Sequence, residues 1–315
     1  MNLPSNKARG FRLPPRPRVA VVGASGLVGE KIMQVLTERA FPYASLDGYS
    51  PRDLDPTELA DRDLIFLATP ADVALRCSPE LVAAGCVVVD LSPAWRLDPQ
   101  VPLVVPEVNG ELLAEHSGVI ACPNCTNVPL VMVLAALQTQ RLAEQVIVTT
   151  MQAASGVGRA GLECLQGGPS PFAQELTNNL LPQCDDLLEQ GDSAEERRLV
   201  GESQRLLQQE ALAISATCVR VPVRVGHALS VTVRFDSEVS VDQAREDLNA
   251  FAGLRLYQAP DYPSVLDCVG NDMVHVGRLR QGSNAKELQM WLACDNLRKG
   301  AATNAVQIAE ALLPL

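Results

Sequence analysis

The junction of a β-branched run, a glycine-rich turn and an amphipathic stretch near the start of the chain limits the fold more than any other feature. Residues 18–22 (R-V-A-V-V) read as a buried strand, residues 23–29 (G-A-S-G-L-V-G) as a turn, and residues 30–39 carry apolar side chains at helical spacing. Because glycine lets a backbone approach a pyrophosphate at a helix N-terminus, this order indicates a dinucleotide-binding unit. The spacing is GxxGxxG rather than GxGxxG, so a glycine-rich junction that binds no ligand is the alternative.

Strands and helices continue to alternate over the first 120 residues. Residues 63–69 (D-L-I-F-L-A-T) and 86–91 (C-V-V-V-D-L) are buried-type strands with a helical stretch between them. This pattern predicts an α/β fold with a doubly wound parallel sheet. We therefore predict a dinucleotide-binding domain over residues 18–124, preceded by a disordered arm (residues 1–17) and completed by a C-terminal helix (residues 296–315).

The pattern changes after residue 124. Here shorter strand-like runs, a long irregular stretch and a charged helix predict a mixed α+β domain over residues 125–295. The predicted elements are strands at 145–152, 219–225, 229–235 and 288–293, the middle two antiparallel, and a helix at 193–212.

Charge and cysteine content exclude several classes of protein. The net charge is −11 although residues 1–18 contain five basic and no acidic residues, which argues against nucleic-acid binding. No apolar run reaches the length of a membrane span, and the N-terminal residues lack the apolar segment of a secretory signal. Nine cysteines include a single CxxC pair, Cys122 and Cys125, with no second pair or clustered histidine. We therefore expect no metal site, and reduced thiols in the cytoplasm.

Cys125 is the first candidate for a reactive group. It lies in A-C-P-N-C-T-N-V-P-L (residues 121–130), where Pro123 and Asn124 predict a turn before an apolar helix over residues 128–137. A thiol at a helix N-terminus meets the positive end of the helix dipole, which favours the thiolate. The alternative is a buried structural cysteine, the commoner role of a free thiol.

His227 is the candidate partner of this thiol. A cysteine–histidine pair is the usual arrangement for an activated sulfur nucleophile. Arg220 stands seven residues before it, so on an alternating strand the two side chains would face opposite ways, and we expect the turn at Gly226 to bring them together. A histidine that only satisfies local hydrogen bonds is the alternative.

Five blocks of sequence occur in the same order in one enzyme family, and two shorter blocks support them. The chain resembles the aspartate-β-semialdehyde dehydrogenases from about Arg18 to its C-terminus. The blocks are 23–29, P-N-C-T around Cys125, M-Q-A-A-S-G-V-G (151–158), R-V-P-V-R-V-G-H (220–227) and D-N-L-R-K-G-A-A-T-N-A-V-Q (295–307), with L-S-P-A-W-R-L-D-P (91–99) and V-P-E-V-N (105–109) in support.

The resemblance implies a reversible phosphorylating aldehyde dehydrogenase. In the biosynthetic direction Cys125 would attack L-aspartyl-4-phosphate and expel phosphate, and the thioester would accept a hydride and release L-aspartate-4-semialdehyde. The same resemblance makes His227 the acid/base and gives Gln152 the positioning of the acyl intermediate. It also assigns Arg220 to the substrate carboxylate, through a bidentate pair.

Four further residues match positions that bind substrate or phosphate in the family. Arg96 and Asn124 correspond to phosphate contacts. The family usually places a lysine three residues after a glutamate for phosphate, whereas this chain has Glu195 followed by Arg198. Arginine binds phosphate too, but with a different reach and geometry.

The resemblance also implies a nicotinamide cofactor. Candidate residues for the dinucleotide are Gly23, Ser25, Gly26, Leu27 and Val28, and those for the nicotinamide pocket are Ser155, Gly156, Gly158 and Asn296, with Gln307 as a further match.

The connection over residues 49–62 decides between the two nicotinamide cofactors. In the family this region recognises the adenosine 2′-phosphate, and here only Ser50 and Arg52 are available for it. Asp47 would instead bind a ribose hydroxyl, as in NAD enzymes. The resemblance favours NADP, and NAD is the alternative.

Two other functions compete with this assignment. One is a related reductase acting on N-acetyl-glutamyl phosphate, and the other is a non-catalytic nucleotide-binding paralogue. Family members are homodimers or homotetramers built through the second domain, so we expect a homo-oligomer, with a small acyl phosphate, semialdehyde and phosphate as its ligands.

Overall fold

The chain divides into two compact units. The computed structural model describes residues 12–52, 54–139 and 141–314. The first unit comprises residues 1–124 and 301–315, and the second comprises residues 125–300.

The strands of the described residues form two sheets. They are β1 (Arg18–Val22), β2 (Ser45–Tyr49), β3 (Leu64–Leu67), β4 (Val87–Asp90), β5 (Val119–Ala121), β6 (Ala143–Gln152), β7 (Ala213–Arg220), β8 (His227–Phe235), β9 (Leu254–Leu256), β10 (Val274–Gln281) and β11 (Glu287–Cys294).

Helices connect most of these strands. They are α1 (Leu27–Glu38), α2 (Ala71–Ala84), α3 (Pro106–Asn109), α4 (Asn127–Leu137), α5 (Arg159–Cys164), α6 (Ala194–Leu206), α7 (Val241–Ala250) and α8 (Thr303–Ala311). Short 3₁₀ turns span Pro56–Leu59, Gly110–Glu115 and Ala154–Val157, and a π-helical turn spans Arg298–Ala302.

The first unit contains a five-stranded parallel sheet with the order β2-β1-β3-β4-β5. Every residue of β3 and β4 is buried, as expected of strands covered on both faces by helices. The chain crosses from one side of β1 to the other between β2 and β3. At such a switch point the carboxyl ends of the strands form the ligand-binding crevice. The predicted doubly wound parallel sheet is confirmed.

The core of the first unit contains residues from near both ends of the described chain, including Leu13 and the last helix. Leu13 is only 3% exposed and packs into this core, and Pro17 O accepts a hydrogen bond from Ala44 N (2.9 Å). Residues 1–11 of the predicted disordered arm (residues 1–17) lie outside the described residues. In the part that is described, Leu13 and Pro17 are buried and the other four residues are exposed. No periodic pattern predicts the contact of Leu13, because it stands alone among prolines and arginines.

The last helix packs into the same core through Ala305, Val306 and Ile308. Its predicted start at residue 296 is too early, because residues 296–300 belong to the second unit. There the side chain of Asn296 accepts a hydrogen bond from Gly226 N (2.8 Å) and so remains tied to the second sheet.

The second unit contains a six-stranded mixed sheet with the order β7-β6-β8-β11-β10-β9. The predicted antiparallel pair at 219–225 and 229–235 is wrong. Strand β7 ends at Arg220 and pairs in parallel with β6, whereas β8 pairs with the other edge of β6 in antiparallel fashion. Strands β9 and β10 and helix α7 were not predicted. The mixed α+β character of the unit is confirmed.

No helix among residues 12–52, 54–139 and 141–314 is long and apolar enough to cross a membrane.

Candidate active site

Cys125 lies in the turn that precedes α4. Asn127, the first residue of α4, is fully buried, and its Nδ2 donates to Leu199 O (2.8 Å) and Ser203 Oγ (2.9 Å) of α6. A Cβ atom added to Gly300 would lie 3.0 Å from the Cβ of Cys125, so the turn packs directly on that backbone. As predicted, the thiol precedes the N-terminus of an apolar helix, where a thiolate is favoured.

The other cysteines are in a different environment. All nine lie in the described residues, and Cys125 is the one that is not buried. Thiols that stay protonated at neutral pH are poor nucleophiles. Burial raises the pKa of six of the others, namely Cys77, Cys86 (to about 11), Cys184 and Cys268 (each to about 12), Cys218 and Cys294.

His227 lies next to Cys125, with its Nε2 atom 3.2 Å from Sγ. The imidazole is fully buried, and its Nδ1 accepts a hydrogen bond from the backbone N–H of Ala153 (3.0 Å). Burial, together with the positive charge of Arg220, lowers the pKa of His227 from its ordinary value near 6.5 to about 3. A neutral imidazole whose Nδ1 is an acceptor carries its proton on Nε2. This proton therefore points at the sulfur of Cys125.

Strand β6, rather than the turn at Gly226, brings Arg220 and His227 together. Arg220 ends β7 opposite Gln152, and His227 begins β8 on the other side of β6. Both side chains meet the backbone of Ala153, since Arg220 Nη1 donates to its carbonyl (2.8 Å) and His227 accepts from its N–H. The seven-residue offset was therefore misleading, because the two residues belong to different strands.

Arg220 is a buried cation with a free donor. Its side chain is 4% exposed, and its buried Nε has no hydrogen-bond partner among the described residues. The guanidinium lies over the ring of Phe172, with Cζ 5.8 Å from the ring centroid. A Cβ atom added to Gly156 would lie 2.6 Å from Nη1, so only glycine leaves room for this position. A buried guanidinium with an unused donor suits a carboxylate ligand.

Gln152 is the start of a chain of polar contacts. Its Nε2 donates to Glu195 Oε1 (2.8 Å), and Glu195 Oε2 accepts from Arg198 Nη2 (3.0 Å). The same Nη2 atom of Arg198 forms an ion pair with Asp185. Gln152, Glu195 and Arg198 are thus brought together as predicted, while Asp185 was not identified from the sequence. It lies in a long irregular stretch, where no pattern marks a residue that contacts α6.

Asn296 holds two predicted nicotinamide-pocket residues in place. It is buried, and its Oδ1 accepts from Gly226 N (2.8 Å) and from Ser155 Oγ (3.2 Å). Its amide therefore supports the turn that contains Ser155 and Gly156. Gly158 follows with φ +77°, in the region that favours glycine.

The glycine turn of the first unit has the geometry of a phosphate-binding loop. A Cβ atom on Gly23, whose φ is +86°, would lie 2.2 Å from Ala68 O, and one on Gly29 would lie 2.1 Å from Gly23 O. Gly26 is the N-cap of α1, a helix of twelve residues, and it makes no side-chain cap hydrogen bond. The N–H groups in the first turn of a helix are the ones that bind anions. Of the other predicted residues, Ser25 is on this turn, and Leu27 and Val28 are the first two residues of α1.

The residues that would select the cofactor lie at the end of β2. Ser50 and Arg52 are exposed, and Ser50 Oγ accepts from the N–H of Arg52 (3.3 Å). Asp47 forms an ion pair with Arg62 (3.0 Å), whose guanidinium also donates to the hydroxyl of Tyr49 (2.8 Å). The carboxylate of Asp47 is thus already paired.

Three further predicted residues lie in the first unit. Arg96 is 8% exposed and its Nε donates to Cys122 O (2.9 Å), and Asn124 is also buried. Gln307 donates to Glu107 Oε1 (2.8 Å). Their assigned roles stay predictions.

Comparison with known proteins identifies the family. Residues 45–116 match the model of the semialdehyde dehydrogenase NAD binding domain, and residues 134–299 match that of the semialdehyde dehydrogenase dimerisation domain. An aspartate-semialdehyde dehydrogenase of Prochlorococcus marinus is 37% identical to this chain, and the alignment covers 95% of this chain and 97% of that protein. The crystal structure of aspartate semialdehyde dehydrogenase II of Vibrio cholerae complexed with ASA has a TM-score of 0.90, with 33% identity over 94% of this chain and 98% of that one. The structure of a probable aspartate-semialdehyde dehydrogenase from Pseudomonas aeruginosa has a TM-score of 0.85, with 32% identity over 96% of this chain and 98% of that one. The chain therefore belongs to the aspartate-semialdehyde dehydrogenase family.

Proposed function

We propose that this chain catalyses the NADPH-dependent reductive dephosphorylation of L-aspartyl-4-phosphate to L-aspartate-4-semialdehyde, in amino-acid biosynthesis, through a thioester on Cys125. The observation that carries the proposal is the contact of 3.2 Å between Cys125 Sγ and His227 Nε2. A sulfur that accepts a hydrogen bond from a fixed imidazole N–H, at the N-terminus of a helix, is stabilised as the thiolate.

In the first step the thiolate of Cys125 attacks the acyl carbon of the substrate. The C–S bond forms, the C–O bond to phosphate breaks, and the departing phosphate takes one proton from solvent. His227 keeps its Nε2 proton and gains no second one at neutral pH, because burial, the charge of Arg220 and the Ala153 N–H on Nδ1 all disfavour the imidazolium. Its role in this step is to orient and stabilise the thiolate.

A reduced nicotinamide held by the glycine turn at Gly23–Gly29 would supply the hydride that reduces the thioester on Cys125. The oxyanion that results collapses to the aldehyde and returns the thiolate of Cys125, so no net proton transfer is required. We assign to the Nε2–H of His227, which lies 3.2 Å from the sulfur, the stabilisation of the developing oxyanion by a hydrogen bond. His227 thus acts through its N–H, which refines the acid/base role implied by the resemblance.

Substrate selection is assigned to Arg220. Its buried and unpartnered Nε supports a carboxylate ligand, which matches an aspartyl substrate. The Vibrio cholerae relative was crystallised with ASA, which supports the same substrate class here. We assign Gln152 and Glu195 to the acyl group and Arg198, Arg96 and Asn124 to phosphate.

NADP is the proposed cofactor. The glycine turn fits a dinucleotide because Gly23 and Gly29, where a Cβ atom would meet the carbonyls of Ala68 and Gly23, let the backbone turn tightly at the start of α1. Pairing of Asp47 with Arg62 argues against a ribose contact from Asp47, and exposed Arg52 suits a 2′-phosphate. We assign Ser155, Gly156, Gly158 and Asn296 to the nicotinamide end.

We also propose a homodimer. The match of residues 134–299 to a dimerisation domain supports this assembly.

The decisive experiment is the oxidative reaction with purified protein. L-Aspartate-4-semialdehyde, phosphate and NADP at mildly alkaline pH should give NADPH only when phosphate is present, and NAD should give a lower rate. N-Acetyl-glutamate semialdehyde is the matched alternative substrate and should be inactive. No phosphate-dependent reduction from a protein that binds NADP would contradict the proposal and point to a non-catalytic paralogue.

A further inference from the structure

Arg198 lies between two carboxylates of the second unit. Glu195 Oε2 and Asp185 Oδ2 both contact its Nη2 atom, the first at 3.0 Å. One cation therefore faces two anions, and the cluster of Asp185, Glu195 and Arg198 carries a net charge of −1. Burial opposes the charged form of Asp185, but its hydrogen bonds from Arg198 and the backbone of Asp186 outweigh this and lower its pKa.

The remaining donors of Arg198 are open. Both hydrogen bonds that Arg198 forms within the described residues come from Nη2, so its Nε and Nη1 atoms keep their hydrogens for another acceptor. The side chain is 24% exposed, so these donors are within reach of a dissolved anion. A planar guanidinium has five N–H donors, and it can keep one carboxylate while it binds phosphate through the others.

Asp185 is the more accessible of the two carboxylates. Its side chain is 44% exposed, against 10% for Glu195, which is also held by Gln152. Asp185 lines a cavity of about 570 Å³ whose wall includes Arg220 and Asp186. Of the two partners of Arg198, Asp185 is therefore the one that an incoming anion can replace at small cost.

We propose that Asp185 sets the affinity of the enzyme for phosphate by pairing with Arg198 whenever phosphate is absent. This inference rests on the proposed function, in which Arg198 binds phosphate. Asp185 competes with phosphate for the guanidinium and adds a negative charge that a phosphate dianion must approach. In the biosynthetic direction phosphate is a product. When the Asp185 carboxylate pairs with Arg198 again, it displaces phosphate and so favours phosphate release. Asp185 thus acts through Arg198 and need not touch the substrate.

The test is the variant Asp185→Asn, assayed in the phosphate-dependent direction. Its KM for phosphate should fall roughly two- to fivefold. This factor corresponds to the interaction free energy of a partly exposed ion pair, which phosphate no longer has to displace. The KM of the variant for the semialdehyde should change less than its KM for phosphate, because Arg220 keeps its hydrogen bond to Ala153 O and Gln152 keeps its hydrogen bond to Glu195. Asp186→Asn is the matched control: it removes a charge from the same cavity wall, and Asp186 has no ion pair with Arg198. The control should keep the wild-type KM for phosphate.

A double-mutant cycle separates pairing from general electrostatics. In the background of Arg198→Ala, the Asp185→Asn change should no longer affect phosphate affinity. Phosphate affinity is also measured directly by titration calorimetry, so the result does not depend on turnover. Absence of phosphate-dependent turnover in the wild type would contradict the proposed function alone. Phosphate affinity in Asp185→Asn that is unchanged or weaker, or an equal gain in Asp186→Asn, would overturn this inference.

Discussion

At the scale of single residues, the state of His227 defines the chemistry. Three contacts fix this state, namely the N–H of Ala153 on one ring nitrogen, the sulfur of Cys125 on the other, and a nearby cation, Arg220. Together with full burial they keep the imidazole neutral, so it serves as a donor to the sulfur rather than as half of an ion pair. The same arrangement makes the folded protein less stable at acidic pH.

We predict that His227 makes the second unit sensitive to acid. Because the pKa of His227 is about 3 in the folded protein and ordinary in the unfolded chain, the unfolded state binds the extra proton below pH 6.5. Stability therefore falls as the pH drops from 6.5 towards 3, by about 2 kcal/mol at pH 5 from this residue alone. Thermal unfolding of the wild type and of His227→Gln, from pH 7.5 to 4.5, measures the effect. The wild-type Tm should fall more steeply, and parallel curves would show that His227 is not held neutral.

At the scale of elements, α6 is the support of the site. It carries Glu195 and Arg198 in its first turns, and it receives the hydrogen bonds of Asn127 that fix the start of α4. Its N-terminus is closed by a capping box in which Ser193 Oγ accepts from Glu196 N and the Glu196 carboxylate accepts from Ser193 N.

We predict that Ser193→Ala impairs both stability and phosphate binding. Loss of the cap should cost about 1 kcal/mol and lower Tm by about 2–4 °C. Fraying of the first turn should also raise the KM for phosphate, because Arg198 is then less well held. The matched control is Ser240→Ala, which removes the cap of α7, a helix without any predicted site residue. We expect both variants to lose the same amount of stability, and the KM for phosphate to rise in Ser193→Ala alone. A rise in both variants, or in neither, would refute the link between this cap and the site.

Elements with a strong local signal were predictable, and those that depend on distant contacts were not. The strand, glycine turn and helix at the start of the first unit, and the turn before α4, follow from the local order of residues. Strand β5 has only three residues, and β10 is interrupted by an irregularity between Gly277 and Arg280, so neither has a clear alternation. The parallel pairing of β7 with β6 was missed for a related reason, because register between strands more than 60 residues apart leaves no local pattern.

The same limit applies to the candidate site. Cys125, His227 and Arg220 were found because each stands in a recognisable block. The contact of Arg198 with Asp185 was not found, because it joins α6 to an irregular stretch.

At the scale of the whole molecule, the chain leaves the first unit after residue 124 and returns to it at residue 301. The glycine turn belongs to the first unit, whereas Cys125, His227 and Arg220 belong to the second. The glycine turn and the reactive thiol are therefore held by separately packed cores, and single substitutions should abolish the function of one without the other.

We predict a double dissociation between Cys125→Ala and Gly23→Ala. Cys125→Ala removes the nucleophile and should lower kcat by about 10⁴-fold or more, yet NADP should raise its Tm as it does in the wild type. Gly23→Ala would place a Cβ 2.2 Å from Ala68 O at a φ of +86°, so the turn must shift and NADP should no longer raise Tm. Because the second unit is untouched, Cys125 in Gly23→Ala should still be alkylated much faster than the eight buried cysteines, which also shows that this unit has folded. Loss of NADP binding in Cys125→Ala, or loss of selective alkylation in Gly23→Ala, would mean that the two activities do not reside in separate units.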